Sequence, residues 1–275
     1  MKKFMKNSAI TALVMILVGI IAIATAIIVK GPEVITAITQ YSSEALDGLN
    51  IVANPDLITE FDFDSDIPML AANTQHTIDT AGITQLDIEL GACELQILPS
   101  EDQFFYAHVN GAGLCQVYSE AQTLCVKAST GSISLYIPKD YSFDRATISV
   151  GAGQISGFSA IHITELEMEL AAGEIHLSNV EAGNLDAEVG AGSLVFSGNI
   201  LQSVNAECSM GNLTLQLTGE KTDYNYDVDV AAGEITIGEE SFGGLAGERQ
   251  INNNASKNIN VECAMGNIEI SFAEN

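Results

Sequence analysis

One short phrase recurs along the last two-thirds of this chain. It consists of two alternating apolar residues, a corner of small residues ending in Gly, and two more alternating apolar residues. The phrase reads LDIELGACELQI at 86–97, ATISVGAGQIS at 146–156 and LEMELAAGEIHL at 166–177. It returns as LDAEVGAGSLVF at 185–196, VNAECSMGNLTL at 204–215, YDVDVAAGEITI at 226–237 and INVECAMGNIEI at 259–270. Self-similarity at a short period marks a repeat architecture, in which each copy buries its apolar face against its neighbours.

The corner positions are Gly131, Gly153, Gly173, Gly192, Gly211, Gly233 and Gly266, with Cys93 in the same slot of the first copy. Gly113, a weaker match, divides the first interval. Successive corners then follow at a nearly even period, apart from a longer last interval between Gly233 and Gly266. The surplus in that interval reads as a loop leaving one coil. Five and three residues before the Gly the side chains are apolar, as at Met168 and Leu170. Two and four after it they are apolar again, as at Ile175 and Leu177. Period-two alternation is the mark of a half-buried strand. The parity changes across the Gly, so the chain turns a corner there. Gly is expected at that corner for its backbone freedom, with Ala or Gly beside it to avoid crowding. The expected fold is all-β, a β-solenoid with two or three short strands per ~20-residue coil, stacked at about 4.8 Å. A sandwich is the alternative, although Asn-Gly hairpin signals are not placed to pair these strands. The absence of Trp and the presence of 24 Gly suit a narrow interior of Ile, Leu, Val and Ala.

Residues 8–29 carry no charge and would reach about 33 Å as a helix, enough to span a bilayer. Lys2, Lys3 and Lys6 precede them, and Glu33, Glu44 and Asp47 follow. By the positive-inside rule the N-terminus stays in the cytoplasm and the repeats lie outside. The competing reading is a cleaved signal peptide with Ala22-Ile23-Ala24 as its site. Four segments result: a basic cytoplasmic tail (1–7), a transmembrane helix (8–29), a stalk (30–80) and the repeat domain (81–275). From residue 31 onward six bases face 36 acids, a net of −30. Such a field repels nucleic acid and anionic lipid and attracts cations or basic partners; it also serves solubility.

The acids are ordered. Four positions before the corner stand Glu89, Glu169, Glu188, Glu207, Asp229 and Glu262. If coils stack in register, these form a ladder on one outward face. It reads either as a cation-binding strip or as a solvated face that blocks aggregation. Cys208 and Cys263 fill the slot that holds Leu170, Val189 or Val230 in other copies, and read as small core residues. Cys115 and Cys125 are candidates for a bridge across neighbouring strands. His76, His108, His162 and His176 have no ligand spacing, and no metal or cofactor is expected. Nucleophile-elbow, phosphate-loop and His-Glu-x-x-His motifs are absent.

The repeats of 75–272 resemble the bacterial putative-adhesin family. That resemblance implies an all-β fold of twenty-residue repeats, often behind a membrane anchor, with a Gly-Asp pair in each repeat. Here the residue after the corner is instead Gln154, Glu174, Ser193, Asn212, Glu234 or Asn267. The functional expectation is a non-enzymatic, membrane-anchored module at the bacterial cell surface that binds or scaffolds. Its partner would be an unknown protein, glycan or cationic surface ligand. A sensor of envelope stress is the alternative, and a carbohydrate-active β-helix enzyme a remote one.

Overall fold

The computed structural model describes residues 63–243 and 247–273, which form an all-β unit organised as one sheet of 15 strands. The transmembrane helix expected at 8–29 lies outside the described residues, among which no helix is long and apolar enough to cross a membrane. In chain order the strands are β1 (Gln75–Asp79), β2 (Gln85–Ser100), β3 (Phe104–Glu120), β4 (Thr123–Pro138) and β5 (Ser142–Val150). They continue as β6 (Gln154–Leu170), β7 (Glu174–Val189), β8 (Ser193–Cys208), β9 (Asn212–Thr218) and β10 (Tyr224–Val230). The last five are β11 (Glu234–Ile237), β12 (Glu240–Gly243), β13 (Gly247–Ile251), β14 (Lys257–Cys263) and β15 (Asn267–Ala273).

The parallel strands stack as eight rungs. β4 is the first and β2 the second. β5 and the start of β6 make the third, the rest of β6 and the start of β7 the fourth. β7 and β8 make the fifth, β8 and β9 the sixth. The seventh is β14 with β15, and the eighth is β10 with β11. The chain therefore visits the rungs out of spatial order at both ends. It builds the second before the first, and the eighth before the seventh. Beyond the first rung β3 runs antiparallel to β4, with β1 outside it; beyond the eighth, β12 and β13 run antiparallel to β11 and β10.

The alternation read from the sequence becomes columns of stacked side chains. Ile88, Ile148, Met168, Ala187, Ala206, Val261 and Val228 are in register from the second rung to the eighth, and all are buried. Burying a Val- or Leu-sized side chain contributes about 1.5–3 kcal/mol, set against the entropy of ordering the chain. Aromatic rings fill the two ends. Phe105, Tyr141 and Phe143 cluster near the first rungs, with centroids 4.8 and 4.9 Å apart about Tyr141. Tyr224 meets Phe272 at 5.9 Å near the last.

The corners show why Gly recurs. The amide of Glu174 donates to Gly153 O (2.9 Å), Ser193 to Gly173 O (3.1 Å) and Asn212 to Gly192 O (2.9 Å), so the ladder continues through each turn. A Cβ on Gly173 would stand 1.9 Å from Gly153 O. Of the seven corner glycines only Gly131, at φ 104°, has left-handed backbone. Elsewhere the corner demands close approach of rung to rung, not the backbone freedom expected from the sequence.

Three other readings change. Gly113 lies in β3, antiparallel to β4, and is not the corner of a parallel rung. The surplus between Gly233 and Gly266, read as a loop, contains β12 and β13. Residues 63–79, placed in the stalk, fold with the repeats: β1 pairs with β3, and the buried Gln116 amide donates to Asp64 O (2.7 Å) and Ile67 O (2.6 Å). Asp64 N donates back to Gln116 Oε1 at 3.0 Å. That amide is a clasp on the incoming chain.

Candidate functional site: an acidic column on the sheet face

Register brings the acids together. Glu89 lies between Lys127 and Ser149, and Ser149 pairs with Glu169. From there Glu169, Glu188, Glu207, Glu262, Asp229 and Glu248 occupy six successive strand positions. Neighbouring strands lie about 4.8 Å apart, where two carboxylates repel by about 1 kcal/mol in bulk water. All six residues of the sequence-derived ladder fall on this column. Glu248 was not in it, because β13 lacks the repeat's apolar alternation.

The column is not uniform along its length. Glu89 is paired with Lys127 at 3.3 Å, so the charge there is offset. At the middle, burial and the surrounding carboxylates raise the Glu188 carboxyl above its ordinary value; Glu207 and Glu169 on either side are the strongest of these. A parallel column two residues earlier runs Asp87, Thr147, Glu167, Asp186, Asn205, Asn260, Asp227 and Gln250. Its amides relieve it: Asn260 donates to Asn205 Oδ1 (2.9 Å) and Gln250 to Asp227 Oδ2 (3.2 Å). Arg145 reaches Glu167 at 3.5 Å.

The raised Glu188 carboxyl has a definite sign. The folded state holds this proton more tightly than the unfolded chain, so ionised Glu188 opposes folding and stability falls as pH rises through its folded pKa. Glu188→Gln is expected to raise the melting temperature at neutral pH by about 1–4 °C, the effect of removing one like-charge cross-strand contact. Thermal melts across the carboxylate range check it, since the gain should fade as the wild-type carboxyl becomes protonated. A lower melting temperature at neutral pH would refute the repulsion.

On the neighbouring face the small corner residues leave a shallow groove of about 540 Å³ along the first four rungs, lined by Cys93, Gly131, Gly153 and Gly173. Glu94, Gln154 and Glu174 rise in register at its edge, and Gln154 donates to Glu174 Oε2 at 2.9 Å. Among the described residues no group of three His, Cys, Asp or Glu could hold a metal ion. His162 meets Glu181 through Nδ1 at 3.1 Å, and Asn199 donates to the same carboxylate. The five cysteines are buried free thiols. Cys115 and Cys125 do not face each other: Cys115 lies opposite Ala128, and Cys125 opposite Tyr118. Burial pushes the Cys93 thiol up to about 11 and the Cys115 thiol to about 12.

Residues 119–271, which take in the first rung, the third to sixth, the eighth and most of the seventh but not the second, match the Toastrack DUF4097 family. The chain belongs to that family. The resemblance drawn from the repeats holds at this level. The Toastrack match covers all of the column except Glu89. No curated protein matches the chain. Among solved structures it is similar to a putative cell adhesion protein from Clostridium sporogenes, at 13% identity over 73% of this chain and 99% of that one, with a TM-score of 0.41. It is also similar to a putative adhesin from Parabacteroides distasonis, at 11% identity over 72% of this chain and 96% of that one, TM-score 0.37. A putative adhesin from Bacteroides fragilis follows at 9% identity over 72% and 96%, TM-score 0.29.

Proposed function

We propose that this chain is a membrane-anchored, extracytoplasmic binding or scaffold module whose acidic sheet face receives a cationic surface partner. The six-carboxylate column carries the reading. Hydrogen-bonded strands hold those charges at fixed spacing, so a basic ligand meets a field that is already organised and need not order a flexible acidic segment. The apolar run at 8–29, with its flanking lysines, supports a tether that would hold this face outside the cell. Binding of this kind needs no reacting group, in keeping with a sequence that carries no catalytic motif.

The test uses the full chain in detergent micelles, titrated with an oligolysine peptide and with a neutral oligosaccharide. The peptide is expected to bind, more weakly as salt is added, and to lose about tenfold in affinity when Glu169, Glu188 and Glu207 are all replaced by Gln. Equal binding to that triple variant, or preference for the neutral sugar, sinks the proposal. NaCl and CaCl₂ at matched ionic strength should stabilise the chain nearly equally by screening, whereas a saturable gain at micromolar Ca²⁺ would redirect it to a specific cation site. Mass spectrometry of the membrane-extracted protein should recover residues 2–6; a mature start near Thr25 would remove the anchor.

A further inference from the structure

Cys208 and Cys263 are separated in the chain by all of β9 to β13, yet lie directly opposite one another in the sheet. They meet only because the seventh rung is inserted beside the sixth. Had the rungs followed chain order, β8 would border β10, and Cys208 would face Val230. The column they share runs Leu90, Val150, Leu170, Val189, Cys208, Cys263, Val230, so the two thiols stand side by side in a row otherwise filled with aliphatic groups. Each is only 2% exposed. The side chains hydrogen-bond to each other, and Cys208 Sγ also donates to Gly211 O at 3.1 Å. Each sulfur occupies the recess that a corner glycine leaves: a Cβ on Gly266 would stand 2.5 Å from Cys208 Sγ, and one on Gly233 2.4 Å from Cys263 Sγ.

We propose that Cys208 and Cys263 are a disulfide-forming pair, whose oxidation staples the out-of-order seventh rung to the sixth. In-register residues on adjacent strands are separated by about 4.8 Å, inside the 4.4–6.8 Å Cα window of a disulfide. In the closed stack the mutual hydrogen bond holds the Cys208 thiol below its ordinary value and raises Cys263; on the open chain either thiol can attack first, and the steps are the same from both sides. The oxidant is a low-molecular-weight disulfide, R–S–S–R. Cys208 loses its proton to solvent, its sulfur attacks one donor sulfur, and R–S⁻ leaves and is protonated. Cys263, deprotonated in turn, attacks the Cys208 sulfur of the mixed disulfide and expels the second R–S⁻. Two cysteine thiols lose two electrons and two protons in all, and the donor becomes two thiols. Burial sets the timing: the reaction takes place before the seventh rung docks or when its corner opens, and is slow on the closed stack. The pair is independent of the acidic face.

Trypsin isolates the two residues. Cys208 is the lone cysteine of 146–221 and Cys263 that of 258–275, while Cys93, Cys115 and Cys125 share 31–127. The full chain in detergent is unfolded, refolded with oxidised glutathione, alkylated with N-ethylmaleimide under denaturant and mapped by mass spectrometry. The expected product links 146–221 to 258–275. Its melting temperature should lie about 5–10 °C above that of the dithiothreitol-treated chain, and the difference should vanish in Cys208→Val and Cys263→Val. Valine is the residue that neighbouring rungs place in this column, so these variants should keep the fold; if either does not, the peptide map of the unsubstituted chain decides. Complete alkylation of both cysteines, or a link from either to 31–127, overturns the pair. A link that leaves the melting temperature unchanged overturns the staple.

Discussion

Gly173→Ala should destabilise the repeat unit by about 3–4 kcal/mol, a large share of the roughly 5–15 kcal/mol that holds a typical domain together. The added methyl would stand 1.9 Å from Gly153 O and 3.0 Å from its carbonyl carbon and amide nitrogen. All three are backbone atoms, which cannot swing aside as a side chain does. Relief requires the third and fourth rungs to separate at the corner, which breaks the bond from Glu174 N to Gly153 O. Neighbouring corners then lose their register with this one. Gly247→Ala is the control, because nothing lies within 4 Å of its added carbon and its backbone is not left-handed. Denaturant unfolding should separate the two variants clearly. A Gly173→Ala chain that unfolds at the same midpoint as the Gly247→Ala control would mean that the corners are looser than described.

Removing residues 257–275 should have a larger effect still, abolishing the cooperative transition of the last rungs. This deletion takes out the seventh rung, which is hydrogen-bonded on both sides: to β8 and β9, and to β10 and β11. Its loss leaves the sixth rung with an open parallel edge and the eighth with no parallel neighbour. The buried Ile259, Val261, Ile268 and Ile270 go with it, and their contacts on both flanks become exposed. Circular dichroism should show a reduced β signal, and limited proteolysis should cut within 219–243. A truncated chain that melts within a few degrees of the full one would contradict the inserted position of the seventh rung.

The shape of each rung is legible in the sequence, and the order of the rungs is not. Alternation fixes which residues of 166–177 point inward, and the parity change at Gly173 fixes the corner, because both are local consequences of strand geometry. Adjacency is a different matter. The rung containing Cys208 presents much the same apolar faces to the rung of Val230 as to that of Cys263, so apolar pattern alone does not choose between them. The cap strands escaped for another reason. β12 and β13 are exposed along nearly their whole length, so they carry no inward-facing period, and their strand character comes from pairing with β11 and β10. Glu248 was missed with them. Glu89, Glu169, Glu188, Glu207, Asp229 and Glu262 were found because a repeat read in register places equivalent positions in one column.

The exchange of rung order at the two ends bears on how such a stack could change length over time. In the middle, each rung follows the last at a nearly constant offset, as from Glu169 to Glu188 to Glu207, and one more copy of that length would find matching columns above and below. Duplication there extends the core, the corner ladder and the acidic column together. At either terminus an added copy meets an antiparallel cap, or must displace a strand already held on both sides. Growth and shrinkage by whole repeats are thereby confined to the centre, and the two ends behave as fixed fittings between which rungs can be gained or lost.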